Sequence, residues 1–116
     1  MKSWRDLGRR AVDGELAAFV RPATRPSTDL HQAVRRGVSS WSRLFGFGEW
    51  RVEEQGSRRT ALHLTAFDPA SLALRLWLVG VVEATMSRAM GRQVRATITL
   101  GEMGFTPELA CELTCP

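Results

Sequence analysis

The first half of the chain carries two helical patterns of apolar positions. Along residues 3–20, apolar side chains recur at steps of three and four, which predicts an amphipathic helix that Gly8 and Gly14 weaken and that can break near Gly14. Residues 21–28 contain two prolines and predict a linker, because proline lacks a backbone donor and disfavours helical geometry before it. A second helix is expected to start near Ser27 or Thr28. Its apolar stripe consists of Leu30, Val34, Val38, Trp41 and Phe45.

The second half contains four segments in which apolar and polar residues alternate, as in strands with one buried face. The first two, "EWRVEE" and "TALHLTA", are separated by a short turn and predict an antiparallel hairpin. A second pair of strands is predicted after residue 90. The residues expected on the buried face are Trp50, Val52, Leu62, Leu64, Val94, Ala96, Ile98, Leu100, Leu109, Cys111, Leu113 and Cys115.

Between the two strand pairs, residues 68–90 predict the longest helix of the chain. Asp68 can cap its first turn, Pro69 suits the first helical position, and Gly91 is placed to end it. Apolar side chains cover nearly every side of this helix, so we expect it in the middle of the domain or also against a second subunit. Gly80, in mid-helix, would let another backbone come close.

The order of these elements predicts an α+β fold. We expect a four-stranded antiparallel sheet, arranged in sequence as strand–strand–helix–strand–strand, with two N-terminal helices packed on one face. The 116 residues suit a single domain. Within it, residues 1–20 form an N-terminal helix that could be peripheral, residues 21–28 a linker, and residues 29–116 the α+β core.

Basic residues are concentrated towards the N-terminus. Residues 1–43 contain nine Lys or Arg and four Asp or Glu, a balance of +5, whereas residues 44–116 contain seven and eight, a balance of −1. A solvated surface accounts for this distribution, and the alternative is a basic N-terminal face that meets an acidic partner or a phosphate backbone. The arginines available to such a face are Arg5, Arg9, Arg10, Arg35 and Arg36.

The sequence does not show the patterns typical of a signal peptide, a membrane-spanning helix or a nucleic-acid-binding domain. Charged residues interrupt the apolar core that a signal peptide needs, and Arg75 and Glu83 break the longest apolar run below the ~18 residues of a bilayer span. Aromatic residues do not interleave with the arginines as they do in single-strand binders. We therefore expect a cytoplasmic protein with no membrane span and no nucleic-acid partner.

The chemically reactive residues do not form a catalytic or metal-binding set. Cys111 and Cys115 lie four positions apart on a predicted strand, about 13 Å, whereas a disulfide needs Cα atoms within roughly 7 Å. They are interpreted as small apolar residues of the sheet. His31 and His63 have no second ligand at metal-binding spacing, and the serines have no base beside them. We expect no enzymatic activity, no metal and no cofactor.

Four residues are candidates for an apolar ligand pocket. Trp41, Trp50 and Trp77 can line a cavity between the sheet and the long helix, although each also suits the core. Glu83 lies deep in the apolar helix, where a carboxylate must be hydrogen-bonded or protonated. It either pairs with an arginine or anchors the polar end of a ligand.

Three short motifs in the last third of the chain resemble the 4-vinyl-reductase-type domain: Gly80 to Glu83, Gly91 to Val94, and Cys111. From about residue 29 the chain also resembles myxobacterial, hence bacterial, proteins of unknown function. The resemblance implies a domain related to heme–nitric-oxide-binding-type domains and to subunits of the transport protein particle. Members bind small hydrophobic molecules or dimerise in regulatory proteins. Many have a further cysteine that completes a metal site, and this chain has Leu100–Gly101 there instead.

These observations lead to two functional hypotheses. The first is a non-enzymatic regulatory module that binds a small hydrophobic ligand or forms a homodimer, using the helix over residues 70–90. The alternative is a protein-interaction adaptor that uses the basic N-terminal helix and has no ligand cavity. The expected partners are accordingly a second copy of the chain, another protein, or an apolar small molecule.

Overall fold

The structure, a computed structural model, describes residues 3–44, 48–56, 58–65, 72–100 and 108–115. It confirms the α+β fold with a four-stranded antiparallel sheet and N-terminal helices. The helical elements are α1 (Trp4–Asp13), α2 (Ala17–Val20), a 3-10 turn (Arg21–Thr24), α3 (Leu30–Leu44) and α4 (Leu72–Met90). The strands are β1 (Glu49–Gly56), β2 (Arg59–Thr65), β3 (Arg95–Leu100) and β4 (Leu109–Thr114), and they lie in the order β1-β2-β4-β3.

The N-terminal helix is interrupted where the sequence predicted a weak point. Ser3 caps α1 by accepting a hydrogen bond from the Asp6 amide at 3.1 Å, and α1 ends at Gly14, whose N–H donates to the Arg10 and Ala11 carbonyls. The chain then continues into α2, whose Val20 is buried. The break expected near Gly14 is therefore confirmed, and it separates α1 from α2.

The start of α3 differs from the prediction that Ser27 or Thr28 caps it. The helix begins at Leu30, and the Asp29 carboxylate accepts from the His31 amide at 3.1 Å. Ser27 instead accepts from the Asp29 amide at 3.3 Å, so its hydroxyl shapes the turn before the helix. The predicted stripe of α3 faces inward through Leu30, Val34 and Trp41, with Val38 partly buried. Its last member, Phe45, lies outside the described residues.

The sheet buries the face that alternation predicted, with one exception at its edge. Leu62, Leu64, Leu109, Cys111 and Leu113 are buried, and Trp50, Val52 and Ile98 pack against them as partly buried residues. Leu100 was also predicted to be buried, but it is 41% exposed. The reason is a shift in the β3–β4 register between Ile98 and Leu100, which breaks the alternation of inward and outward positions.

Helix α4 is surrounded as its apolar surface predicted. It contacts α1, α3, the 3-10 turn, β3 and β4, and it contributes Leu78, Val79, Val81, Val82 and Met86 to the core. Gly91 ends it in the left-handed conformation, with φ of +66°. The predicted cap at Asp68 and Pro69 lies outside the described residues. None of the helices in the described part of the chain combines the length and apolarity needed to cross a membrane.

Helix α1 packs on α4 through one glycine from each helix. A Cβ on Gly80 would overlap the carbonyl group of Arg5, and a Cβ on Gly8 would overlap the carbonyl group of Trp77. Glycine at both positions therefore lets the two backbones meet directly. The close approach predicted at Gly80 is confirmed, and α1 is the element that makes it.

Candidate functional site

The most polar feature of the interior is a cluster around Glu83, on the side of α4 that faces α1 and β3. The side chain of Glu83 is 4% exposed. One carboxylate oxygen, Oε2, accepts from Arg5 Nη2 at 2.6 Å and from the Ala96 amide at 2.7 Å. The other, Oε1, accepts from Arg9 Nε at 2.7 Å and also from Arg9 Nη2. Arg5 additionally donates to the Ala96 carbonyl. This set, named here the Glu83 cluster, joins α1, α4 and β3.

The Glu83 cluster keeps its carboxylate ionised. Burial alone would raise the pKa of Glu83, because desolvation penalises the charged form. The hydrogen bonds from Arg5, the Ala96 amide and Arg9 outweigh burial and bring the pKa of Glu83 below its usual value. Both oxygens have partners within the molecule, so Glu83 meets the requirement of a buried carboxylate by pairing with arginines. This was one of the two alternatives that the sequence left open.

The five predicted partner-binding arginines occupy different surroundings. Arg5 and Arg9 direct their guanidinium groups to Glu83, and 30% and 43% of their side chains remain exposed. Arg36 is partly buried and donates to the Arg25 carbonyl at 3.0 Å. Arg10 and Arg35 are exposed, on α1 and α3 respectively. The structure therefore unites Arg5 and Arg9 with the pocket candidate Glu83 rather than with Arg35 and Arg36.

The three tryptophans proposed for a ligand pocket are not gathered at one site. Trp41 is buried and its ring lies 5.7 Å from that of Trp50, centroid to centroid. Trp77 is partly buried on α4, where its carbonyl group faces Gly8 of α1. The apolar space between Trp50, the sheet and α4 measures about 10 Å³, which is close to the room needed for one water molecule. In the described residues, these side chains act as core packing.

An open groove lies above the Glu83 cluster, between α1 and the segment that follows α4. Its volume is about 510 Å³. Four arginines and two acidic residues line it, together with small and polar residues; the charged residues are Arg9, Arg10, Asp13, Glu83, Arg88 and Arg92. We call it the α1–α4 groove.

The cysteines and histidines do not assemble into a reactive centre in the described part of the chain. Cys111 and Cys115 are both free and buried, and burial raises the pKa of the Cys111 thiol to about 12. This burial confirms the interpretation of both cysteines as small apolar residues of the core. The Nε2 atom of His31 lies 3.7 Å from Oε2 of Glu54, and Nε2 of His63 lies 3.4 Å from Oε2 of Glu108. The two pairs are at separate places in the molecule. No group of three or more possible metal ligands occurs among the residues that are described.

Two comparisons with known proteins, one with family models and one with curated sequences, give no match for this chain. No protein-family model matches it, and no similar sequence is found among curated proteins. The resemblance to the 4-vinyl-reductase-type domain therefore stays a prediction. Two of the residues that carry it have structural roles here, since Gly80 meets α1 and Glu83 binds the two arginines of that helix.

The role of the N-terminal helix was missed in two respects by reasoning from the sequence. Gly8 was read only as a weak point in the helix, and Arg5 and Arg9 only as surface charges. A signal for their role exists: Arg5 and Arg9 are four residues apart and share one helix face with Gly8 between them. The matching signal in the long helix is Glu83, a carboxylate that is expected to be buried three residues after the mid-helix Gly80.

Proposed function

We propose that this protein is a non-enzymatic interaction module that binds a partner protein through its N-terminal helices. The observation that carries the proposal is the distribution of exposed large apolar side chains. Among the described residues, three of the four exposed large apolar side chains lie in α1 and α2: Trp4 is 53% exposed, Leu7 is 37% exposed and Phe19 is 61% exposed, whereas the fourth, Leu100, lies in β3. Tryptophan is usually well buried in a lone domain and is enriched where proteins bind each other.

The geometry of α1 supports a surface of defined shape. Trp4 and Leu7 are three residues apart, so they project from the same side of the helix. On another side of the helix, Arg5 and Arg9 bind Glu83 and fix α1 to the domain, and Gly8 adds a backbone contact with α4 close to Trp4. A partner would therefore meet an apolar surface whose helix is already ordered, which lowers the entropic cost of binding. We call Trp4, Leu7 and Phe19 the N-terminal apolar surface.

The interior gives less support to the alternative of an apolar small-molecule ligand. Drug-sized ligands occupy roughly 300–1,000 Å³, and the apolar space beside α4 is about 10 Å³. The larger grooves of the described structure include charged residues in their linings, among them four arginines at the α1–α4 groove. A homodimer remains compatible with the proposal, because a second copy of the chain can serve as the partner protein.

Site-specific photo-crosslinking in cells tests the proposal. The photoreactive amino acid p-benzoylphenylalanine replaces Leu7 in one variant and the exposed Thr97 of β3 in a control variant. We expect a discrete crosslinked product from position 7 and none at position 97. A product of twice the chain's mass identifies a homodimer, and a product with another protein identifies an adaptor.

A second substitution makes the crosslinking result specific to the proposed surface. Combining the photoreactive residue at position 7 with Trp4→Ala should weaken the crosslinked band several-fold, because that change removes neighbouring contact area. The exposed Gln32 of α3, changed to Ala, is the matched control and should leave the band unchanged. Equal products from positions 7 and 97, or an undiminished band with Trp4→Ala, contradict the proposal.

A further inference from the structure

The α1–α4 groove has more positive than negative charge. Glu83, at its base, already accepts hydrogen bonds from Arg5 and Arg9, and Asp13, at its rim, forms an ion pair with Arg88. Arg10 and Arg92 also line the groove, and neither side chain forms an ion pair or hydrogen bond with any described residue. The four lining arginines and two lining carboxylates leave a balance of +2.

The helix ends near the groove reduce this positive charge without cancelling it. Asp13 is the last residue of α1, and Gly91 follows the last residue of α4, so two helix C-termini border the groove. Each C-terminus contributes a partial charge of about −0.5. Together they contribute about −1 against the balance of +2 carried by the side chains, so the groove attracts anions.

The backbone of the groove is held in place before any ligand arrives. The Ser87 hydroxyl donates to the Glu83 carbonyl at 2.8 Å and accepts from the Val94 amide at 3.0 Å, which fixes the segment carrying Arg92 against α4. The Glu83 cluster fixes α1, which carries Arg10. The two unpaired arginines therefore project from anchored segments on opposite sides of the groove.

We propose that the α1–α4 groove binds the phosphoryl group of a small molecule, with Arg10 and Arg92 as its principal donors. Guanidinium groups bind phosphate oxygens with two parallel hydrogen bonds, and a dianionic phosphoryl group offers two negative charges to the two unpaired guanidinium groups, whereas a single carboxylate offers one. The volume of about 510 Å³ lies in the range of small-molecule sites, roughly 300–1,000 Å³. This site is separate from the N-terminal apolar surface, none of whose residues lines the groove.

Titration of the protein with inorganic phosphate tests the inference, with amide chemical shifts measured by NMR at constant ionic strength. We expect saturable shifts centred on residues 91–94 and weaker binding of acetate at the same sites. The double variant Arg10→Gln/Arg92→Gln should bind phosphate about ten-fold more weakly, the order expected for lost charge-assisted hydrogen bonds. Absence of saturable binding to the unmodified protein overturns the proposal.

A control of equal charge separates a site from general electrostatic attraction. Arg35 and Arg43 are exposed on α3 and do not line the groove, and the double variant Arg35→Gln/Arg43→Gln removes the same charge. It should bind phosphate as the unmodified protein does. Equal weakening in both double variants overturns the proposal. The single variants Arg10→Gln and Arg92→Gln, each expected to weaken binding several-fold, provide the same test if the double variant does not fold.

Discussion

The two sides of α4 are packed by different means. On the sheet side, large apolar residues such as Leu78 and Val82 meet Leu64, Leu109 and Leu113 of the strands. On the α1 side, two glycines bring the backbones together, and a buried carboxylate binds two arginines. One contact consists of many similar side chains, whereas the other depends on a few residues that must each be present.

This difference has a consequence for how the molecule responds to substitution. Apolar packing is non-directional, and its stabilisation is spread over the whole buried area. A glycine contact and a buried ion pair are directional, so they fix a single orientation of α1 but depend on individual residues. We therefore expect substitutions on the sheet side to lower the stability of the whole domain, and substitutions on the other side to loosen α1 in particular.

The largest effect is expected from a cavity on the sheet side. Leu113 of β4 is completely buried between its neighbours Thr60 of β2 and Ala96 of β3. Leu113→Ala should lower the free energy of unfolding by about 3 kcal/mol, from lost apolar contact and the cavity left behind. Urea unfolding followed by circular dichroism measures it. Thr114→Ala, on the outward face of the same strand, should change stability by less than about 1 kcal/mol.

Removal of the carboxylate in the Glu83 cluster is the complementary test on the α1 side. Glu83→Ala leaves Arg5, Arg9 and the Ala96 amide without their acceptor. Breaking a buried ion pair costs about 3–5 kcal/mol, and the partial exposure of both arginines to water places the expected loss near 2–3 kcal/mol. Hydrogen exchange should accelerate most in residues 4–13.

An exposed ion pair provides the control for Glu83→Ala. Arg59 and Glu112 pair at 3.1 Å on the outer face of the sheet, where both side chains reach solvent. Glu112→Ala should therefore cost less than about 1 kcal/mol. If Glu83→Ala costs no more than this control, or accelerates exchange equally in α1 and the strands, the distinction between the two sides of α4 is wrong.

Apolar periodicity was sufficient to predict the elements that the sheet side uses. Strands β2 and β4 bury alternate positions, and α4, which is apolar on nearly every side, is buried by several neighbours, so burial follows from the sequence pattern in both cases. The predictions that differ from the structure concern positions where contacts elsewhere in the fold override the local sequence pattern. A register shift exposes Leu100, and the cap of α3 falls on Asp29, although Ser27 and Thr28 beside it are also suitable cap residues.

The α1 side could not be predicted in the same way, because its contacts join distant parts of the chain. Arg5 and Glu83 are separated by 78 residues, and the placement of Arg5 and Arg9 on one helix face does not specify which carboxylate they meet. The need for a partner at Glu83 was predictable from the cost of burying a charge, but the partner's identity was not. Prediction of the groove failed for the same reason, since Arg10 and Arg92 come from opposite ends of the chain.

A smaller loss of stability is expected when the glycine contact is filled. Gly80→Ala places a Cβ against the Arg5 carbonyl, so the two helices must move apart. Such overpacking costs about 1–3 kcal/mol, and the better helix propensity of alanine returns up to about 1 kcal/mol. The net loss should be about 1–2 kcal/mol by urea unfolding. Gly56→Ala, whose Cβ would have no neighbour closer than 3.9 Å, should leave stability nearly unchanged.

The smallest effect is expected from protonation of Glu83, because a neutral carboxyl group keeps part of its capacity to accept hydrogen bonds. Burial opposes ionisation of Glu83, but the bonds from Arg5, Ala96 and Arg9 lower its pKa overall in the folded protein. The stabilisation from a lowered carboxyl pKa is complete above the unfolded pKa of about 4.3 and is lost as pH falls through the folded value. The difference in unfolding free energy between the unmodified protein and Glu83→Gln should therefore be constant from pH 7 to about 5 and decrease at lower pH. A difference that grows on acidification would mean that the arginines do not stabilise the ionised form of Glu83.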